Sequence, residues 1–290
     1  MICSGGWIAE ALVPGHGARR FGRAVNGQVA LTYLLATLAL SLAIQAFFFA
    51  FAAGFRSDKV TDLSYSLSFI ALAAFLLIQT GADGWAQIAL TAMVVAWAVR
   101  LAAYLVRRIL LMGHDPRFDR MRGDLRKFLA FWALQGLFVW VLMLPVTVWF
   151  AWHVPERLGP VHWLGLAIWV VGLALESIAD AQKFAHKRNP DQAQGWVAHG
   201  LWRWSRHPNY FGELVLWWGV FIFVAADLSG WSWLGAIGPI TLVLLLRFGT
   251  GIPQLEKSAE RKWGQDPAYR QYVAATNLLI PGPSGPPARR

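Results

Sequence analysis

Eight residues, Arg206 to Glu213 (RHPNYFGE), set arginine, histidine, asparagine, tyrosine and glutamate directly against an apolar run, LVLWWGVFIFVAA. Proline suits the first turn of a helix, where its missing N–H would have no intrahelical partner, so the chain is expected to enter a helix at Pro208. Free backbone N–H groups at such a start, with Arg203, Arg206 and His207 beside them, form an anion site. His207, Tyr210 and Glu213 recur every third residue and share one side of that helix. The pattern suits a phosphate and a ring held at a helix N-terminus. An interfacial aromatic belt accounts for the tyrosine but not for Asn209 or Glu213.

Three further polar sets lie on or beside apolar stretches, where ionisable side chains are costly and mark functional sites by default. In ESIADAQKFAHKRNPDQ, Glu176, Asp180, Lys183 and Lys187 are spaced 4, 3 and 4 apart, on one helical face. A helix end neutralised by its own dipole accounts for Lys183 and Lys187, but not for Glu176, about three turns further in. In WAVRLAAYLVRR, Trp97, Arg100 and Tyr104 share a face, and Arg100 needs an acidic or polar partner that Glu176, Asp62 or Glu213 can supply. A structural ion pair and a substrate contact are equal readings of that set. In RSDKVTDLSYS, Asp62 suits a helix cap, and Tyr65, one turn on, is a candidate proton donor. After Arg247 the chain reads as an amphipathic helix followed by Tyr269 and Tyr272, serving as a cofactor lid or lying on the lipid surface. No Walker loop, dinucleotide fingerprint, GxSxG or HExxH spacing is present, so no metal is expected. Cys3 is the one cysteine and offers no intramolecular disulfide.

Membrane helices must position these sets. Of 290 residues 57% are hydrophobic and 14% charged, with 17 Trp and 18 Phe, and the mean hydropathy is +0.44. That composition excludes an ordinary soluble enzyme. A hydrocarbon layer needs roughly 20 apolar residues per helix, and the sequence predicts an all-α integral membrane protein of about seven crossings: 28–54, 62–80, 85–106, 128–152, 161–179, 212–226 and 232–247. With seven crossings, 21 of the 26 Lys and Arg fall on one side and four on the other. The basic side is therefore expected in the cytoplasm, with the N-terminus outside and the C-terminus inside. The domains follow: an N-terminal tail 1–27, a membrane domain 28–247 and a cytoplasmic segment 248–290 ending in the Pro- and Gly-rich PGPSGPPARR. No cleavable signal peptide is read in the first 25 residues. Basic residues that flank membrane helices argue against nucleic acid as a partner and suit an anionic ligand such as a nucleotide.

The stretches RSDKVTDLSYS, GHDPRFDRMR, ADAQKFAHKRNPDQ, GLWRWSRHPNYFGELVLWWG and PAYRQYVAATNLLIP resemble the steroid 5-alpha-reductase C-terminal-domain family, over residues 50–281, and within it a bacterial branch of membrane proteins. The resemblance implies a helical membrane reductase, in a bacterial inner membrane, that uses NADPH from the cytoplasmic side. Its substrate would be a carbon–carbon double bond in a steroid, sterol or other lipid-like molecule. By likeness of position, Asp180, Asn209 and Arg247 fall on dinucleotide-binding positions, Lys187 on a basic cofactor contact, and Glu176 on an asparagine of the same pocket. Lys183, Arg188, Arg203, Arg206, His207 and Tyr210 complete the expected cofactor set. Trp97 and Arg100 are expected to meet the substrate, and the proton donor is sought among Tyr65, Tyr104, Tyr210 and Glu213. The sequence departs from the steroid reductases in lacking their Gln-Glu pair on the second helix and in placing Trp97 where they carry a tyrosine.

RHPNYFGE, and Glu256 with the tyrosine pair that follows it, also resemble the isoprenylcysteine carboxyl methyltransferases, which bind S-adenosylmethionine. Against that alternative, the segment from Asp180 to Arg188 suits a phosphate-bearing ligand. A non-catalytic lipid-binding protein is a third expectation.

Overall fold

The computed structural model of the chain describes residues 16–55, 60–81, 84–112, 124–152 and 158–283, the side chains of 16–26, 55, 62, 111 and 112 excepted. Ten α-helices make up nearly all of it: α1 (His16–Phe55), α2 (Thr61–Gln79), α3 (Trp85–Met112), α4 (Leu125–Leu142), α5 (Leu144–Trp152), α6 (Pro160–Arg188), α7 (Pro208–Ala225), α8 (Ile237–Phe248), α9 (Ile252–Trp263) and α10 (Pro267–Ala275). Six segments are long and apolar enough to cross a membrane: Gly27–Gly54, Trp85–Leu110, Leu125–Leu142, Pro160–Arg188, Pro208–Ala225 and Gly230–Trp263. The expected second crossing forms the shorter apolar helix Leu63–Gln79.

Local chemistry accounts for where the elements depart from the expected ranges. The stretch 128–152 is two helices, because Pro145 supplies no backbone N–H and the ladder breaks at Met143 before restarting in α5. The helix expected over 161–179 runs on to Arg188, which keeps Asp180, Lys183 and Lys187 helical. Pro208 opens α7, as its sequence position predicts. The stretch expected over 232–247 begins as a 3₁₀ turn, Gly230–Ala236, and continues as α8. α2 starts at Thr61 after Val60, so Asp62 lies inside the first turn rather than at the cap, and its side chain is outside the described residues. Arg56, Lys59, Arg117, Arg120, Arg122, Arg157 and the last seven residues are also outside them.

Aromatic residues fill the centre of the bundle. Trp97 of α3 meets Phe69 of α2 edge-to-face at 5.0 Å and Trp217 of α7 at 5.0 Å, and all three are fully enclosed. A polar seam joins α1, α2 and α4: Gln45 Nε2 donates to Ser68 Oγ at 2.9 Å, and Gln135 Nε2 donates to Gln45 Oε1 at 3.0 Å. In a membrane such bonds hold helices together, because lipid offers no competing partner.

The closest crossing is that of α6 and α7. A Cβ at Gly172 would lie 2.3 Å from the Leu216 backbone nitrogen, and one at Gly165 2.4 Å from that of Phe223. Gly212 and Gly219 answer from α7, where a Cβ would lie 2.5 Å from the backbone nitrogens of Glu176 and Trp169. Small residues spaced by seven thus let the two backbones touch. This contact sets Glu176 and Asp180 against Asn209 and Glu213.

Beyond α8 the chain folds back over the loop before α7. Tyr272 donates its hydroxyl to the Trp202 carbonyl at 2.8 Å, and Trp263 Nε1 donates to that of Gln194 at 2.9 Å. Ser205 and Asn277 form a parallel bridge. The segment expected as a lid or a surface helix is therefore a strap held against residues 194–207.

Candidate functional site

Arg100 of α3 reaches across to α6. Its Nη1 donates to Glu176 Oε1 at 2.6 Å, its Nη2 to the Glu176 carbonyl at 3.0 Å, and Nη2 also to the Asp180 carboxylate. Trp97 Nε1 donates to Glu176 Oε2 at 3.1 Å, and Asn209 Nδ2 donates to Asp180 Oδ1 at 3.2 Å. The expected acidic partner of Arg100 is thus both carboxylates of α6 at once, each 4% exposed. Glu213, one turn along α7 from Asn209, lies within electrostatic reach of Asp180, Arg100, Glu176 and Tyr65. Two carboxylates therefore hold one guanidinium, with a third carboxyl group, Glu213, in electrostatic range. A cluster with that surplus has acceptor capacity, or protons, left for a ligand.

A cleft of about 370 Å³ opens from this cluster between α3 and α6. Asp180 and Arg100 lie at its inner end, with Tyr104, Phe184, Arg107 and Arg188 along its walls. The Arg100 guanidinium stands 5.7 Å from the Tyr104 ring centre, and that of Arg188 stands 5.8 Å from the Phe184 ring centre. Among the described residues neither Arg107 nor Arg188 meets a carboxylate. The arrangement offers two cations to phosphate oxygens, a carboxylate to hydroxyl or amide donors, and two aromatic faces to a planar ring. Arg107 and Phe184 were not singled out from sequence. The spacing of Arg100, Tyr104 and Arg107, at 0, 4 and 7, carried the signal for the former.

Other expected site residues sit elsewhere. Arg206 and His207 both grip Glu256 of α9: the first through an ion pair, the second through Nε2 at 2.7 Å from Oε1. At the start of α7, where a ligand phosphate is expected, these two side chains are engaged by a carboxylate of the chain itself. His207 stacks on Tyr210 at 5.8 Å. Burial pushes the His207 imidazole below its usual value, with Glu256 opposing. Lys183 turns toward the loop before α7 and lies 5.1 Å from the centre of the Trp202 ring, while Lys187 and Arg203 are exposed. Trp97 is enclosed and orients Glu176 rather than lining the cleft. Tyr65 stacks on Phe138 and meets Phe69 edge-to-face. Arg247 lines a different cleft, of about 530 Å³, with residues from Asn277 to Gly282, and the two clefts share no lining residue.

At the opposite end of α6 and α7 lies a group that sequence reasoning missed. His162 Nδ1 accepts from the Gly159 N–H at 3.0 Å, which leaves Nε2–H to donate to Asp227 Oδ2 at 2.9 Å. Trp149 Nε1 donates to the same oxygen at 2.7 Å. The three tie α5, α6 and the end of α7 together, and no local spacing announces them.

Residues 48–276 match the family described as "Protein of unknown function (DUF1295)". Among curated proteins, the "Uncharacterized protein C594.04c" of Schizosaccharomyces pombe is 27% identical over 147 residues. The match covers 42% of this chain and 40% of that relative's length. No solved structure gives a significant match. The matched region takes in α2 to α10 and every residue of the α3–α6 cleft, and on that extent the chain belongs to the DUF1295 family.

Proposed function

We propose that this protein is a membrane-embedded reductase that uses NADPH to reduce a carbon–carbon double bond in a hydrophobic steroid-, sterol- or lipid-like substrate. The observation that carries the reading is the α3–α6 cleft, with Asp180 and Arg100 at its inner end and, along its walls, Arg107 and Arg188, which meet no carboxylate among the described residues. Guanidinium groups match phosphate oxygens in geometry as well as charge. Asp180, already held by Arg100 and Asn209, is oriented to accept from a ribose hydroxyl or a carboxamide. Tyr104 and Phe184 offer faces to a base or nicotinamide ring. A volume of about 370 Å³ suits one nucleotide half, so a whole dinucleotide must widen the cleft or extend past its rim. When bound, NADPH supplies a hydride.

Reduction also needs a proton, delivered from a group within reach of the reacting carbon. Tyr104 lines the cleft, and Glu213 belongs to the carboxyl cluster at its inner end. Tyr210, stacked on His207, stands within electrostatic range of Tyr104, whereas Tyr65 packs into the aromatic centre. That centre, closed by Trp97, Phe69 and Trp217, keeps water away from the reacting groups. The substrate enters laterally from lipid, and the basic end of the bundle faces the cytoplasm of a bacterial inner membrane.

One observation favours a second reading. Arg206, His207 and Glu256 are brought together beside Tyr269 and Tyr272, the residues on which the likeness to the isoprenylcysteine carboxyl methyltransferases rests. Thermal shifts of the purified protein with NADPH, NADH and S-adenosylmethionine separate the possibilities. A ligand at 100 times its dissociation constant adds about 2.7 kcal/mol to the folded state. Stabilisation by NADPH supports the reductase, by adenosylmethionine alone the methyltransferase, and by neither a non-catalytic lipid-binding protein. Asp180→Ala and Asn209→Ala should each abolish the NADPH shift while the unliganded melt persists. Normal NADPH binding by both variants would move the cofactor out of this cleft.

A further inference from the structure

We propose that the second cleft, lined by Arg247, is a site for an anionic phospholipid, with the phosphate on the guanidinium and the first acyl segment along the opposite wall. Arg247 closes α8, half-buried, with its guanidinium 5.1 Å from the ring centre of Phe248. Among the described residues it meets no carboxylate. A helix C-terminus by itself favours a cation, which explains why Arg247 is tolerated there. It does not explain the built wall facing it.

That wall is the chain from Asn277 to Gly282, and it is clamped. The Arg206 N–H donates to the Asn277 carbonyl at 2.8 Å, Ser205 Oγ to that of Leu279 at 2.7 Å, and the Gly282 N–H to that of Trp204 at 3.3 Å. A preformed wall needs no ordering on binding, which removes one cost of association. Its side chains, Leu278, Leu279, Ile280 and Pro281, are apolar. Ile280 is 67% exposed, Phe248 68% and Trp204 47%, so the cleft opens among apolar side chains at the basic border of the bundle. One cation, one amide and an apolar wall suit an amphiphile; a nucleotide gains nothing from Leu279 and Ile280. Lys257, Arg261 and Lys262 of α9 extend the positive field that draws acidic headgroups to such a border.

The test uses the full chain in phosphatidylcholine nanodiscs with and without phosphatidylglycerol, counting retained phosphatidylglycerol by native mass spectrometry. Arg247→Gln should lower retention roughly fivefold, the factor one basic residue is worth beside an anionic surface. Arg126→Gln, which removes an exposed charge at the start of α4, away from the cleft and from α9, should leave retention unchanged. Ile280→Trp fills the cleft without altering charge and should reproduce the loss, which covers the case of an Arg247 variant that does not fold. Equal loss in Arg247→Gln and Arg126→Gln would mean bulk attraction and overturn the site. So would full retention in Arg247→Gln. Loss of the NADPH thermal shift in Arg247→Gln, with phosphatidylglycerol retained, would assign the cleft to the nucleotide instead.

Discussion

A single methyl group at Gly172 tests what positions the carboxylate cluster. It would stand 2.3 Å from the backbone nitrogen of Leu216 and 2.7 Å from its Cα. Non-bonded heavy atoms settle at about 3.5 Å or more, so α6 and α7 must separate by roughly 1 Å at the crossing. The atoms met are backbone, so no rotamer change relieves the clash, and overpacking of this kind costs about 1–3 kcal/mol. Two turns further along, the same separation stretches the 3.2 Å bond between Asn209 and Asp180 beyond hydrogen-bonding range. For a chain of this size about 1 kcal/mol corresponds to roughly 2–4 °C in Tm, so Gly172→Ala should melt several degrees below the parent. Intrinsic tryptophan fluorescence of the detergent-solubilised protein reads the melt. Gly54→Ala is the control: among the described residues its methyl meets nothing within 4 Å, so no clash opposes alanine's preference for helical backbone. A Gly172→Ala protein that melts with the parent and keeps its full NADPH response would refute the claim that this crossing sets the site.

Four other outcomes are expected. Arg107→Gln and Arg188→Gln should each weaken NADPH binding, measured by titration, by roughly tenfold or more, the worth of a hydrogen bond to a charged group, and leave S-adenosylmethionine unaffected. His207 is depressed by burial below its ordinary value of 6.5, so the unfolded chain takes the proton first. Its contribution is then full above that value and lost as pH falls below it; melts from pH 8 to pH 5 should show a decline that His207→Gln flattens. Asp227→Ala leaves Trp149 and His162 without their shared acceptor, which should cost about 1–3 kcal/mol in a denaturant or thermal series with no change in the NADPH shift. Single cysteines at Arg188 and Trp231, in a background lacking Cys3, should react with an impermeant thiol reagent from opposite sides of sealed vesicles, the first from the cytoplasmic side.

Helical periodicity and backbone chemistry act over a few residues, and they determine what is legible in the sequence alone. The apolar runs required helices, Pro208 marked the start of α7, and the spacing of Glu176, Asp180, Lys183 and Lys187 placed them on one face. The same local rule gave Arg100 an acidic neighbour without saying which one, and it could not show that Lys183 turns away to Trp202. Which helix faces which is set by long-range packing: the glycine crossing of α6 and α7 chose Asn209 as the partner of Asp180. The return of the strap delivered Glu256 to Arg206 and His207 across some fifty residues of chain. It also placed Arg247 in a cleft of its own. Only the tertiary structure decided these pairings, because a buried charge takes whichever opposite charge the backbone brings within reach, and sequence distance carries no information about that.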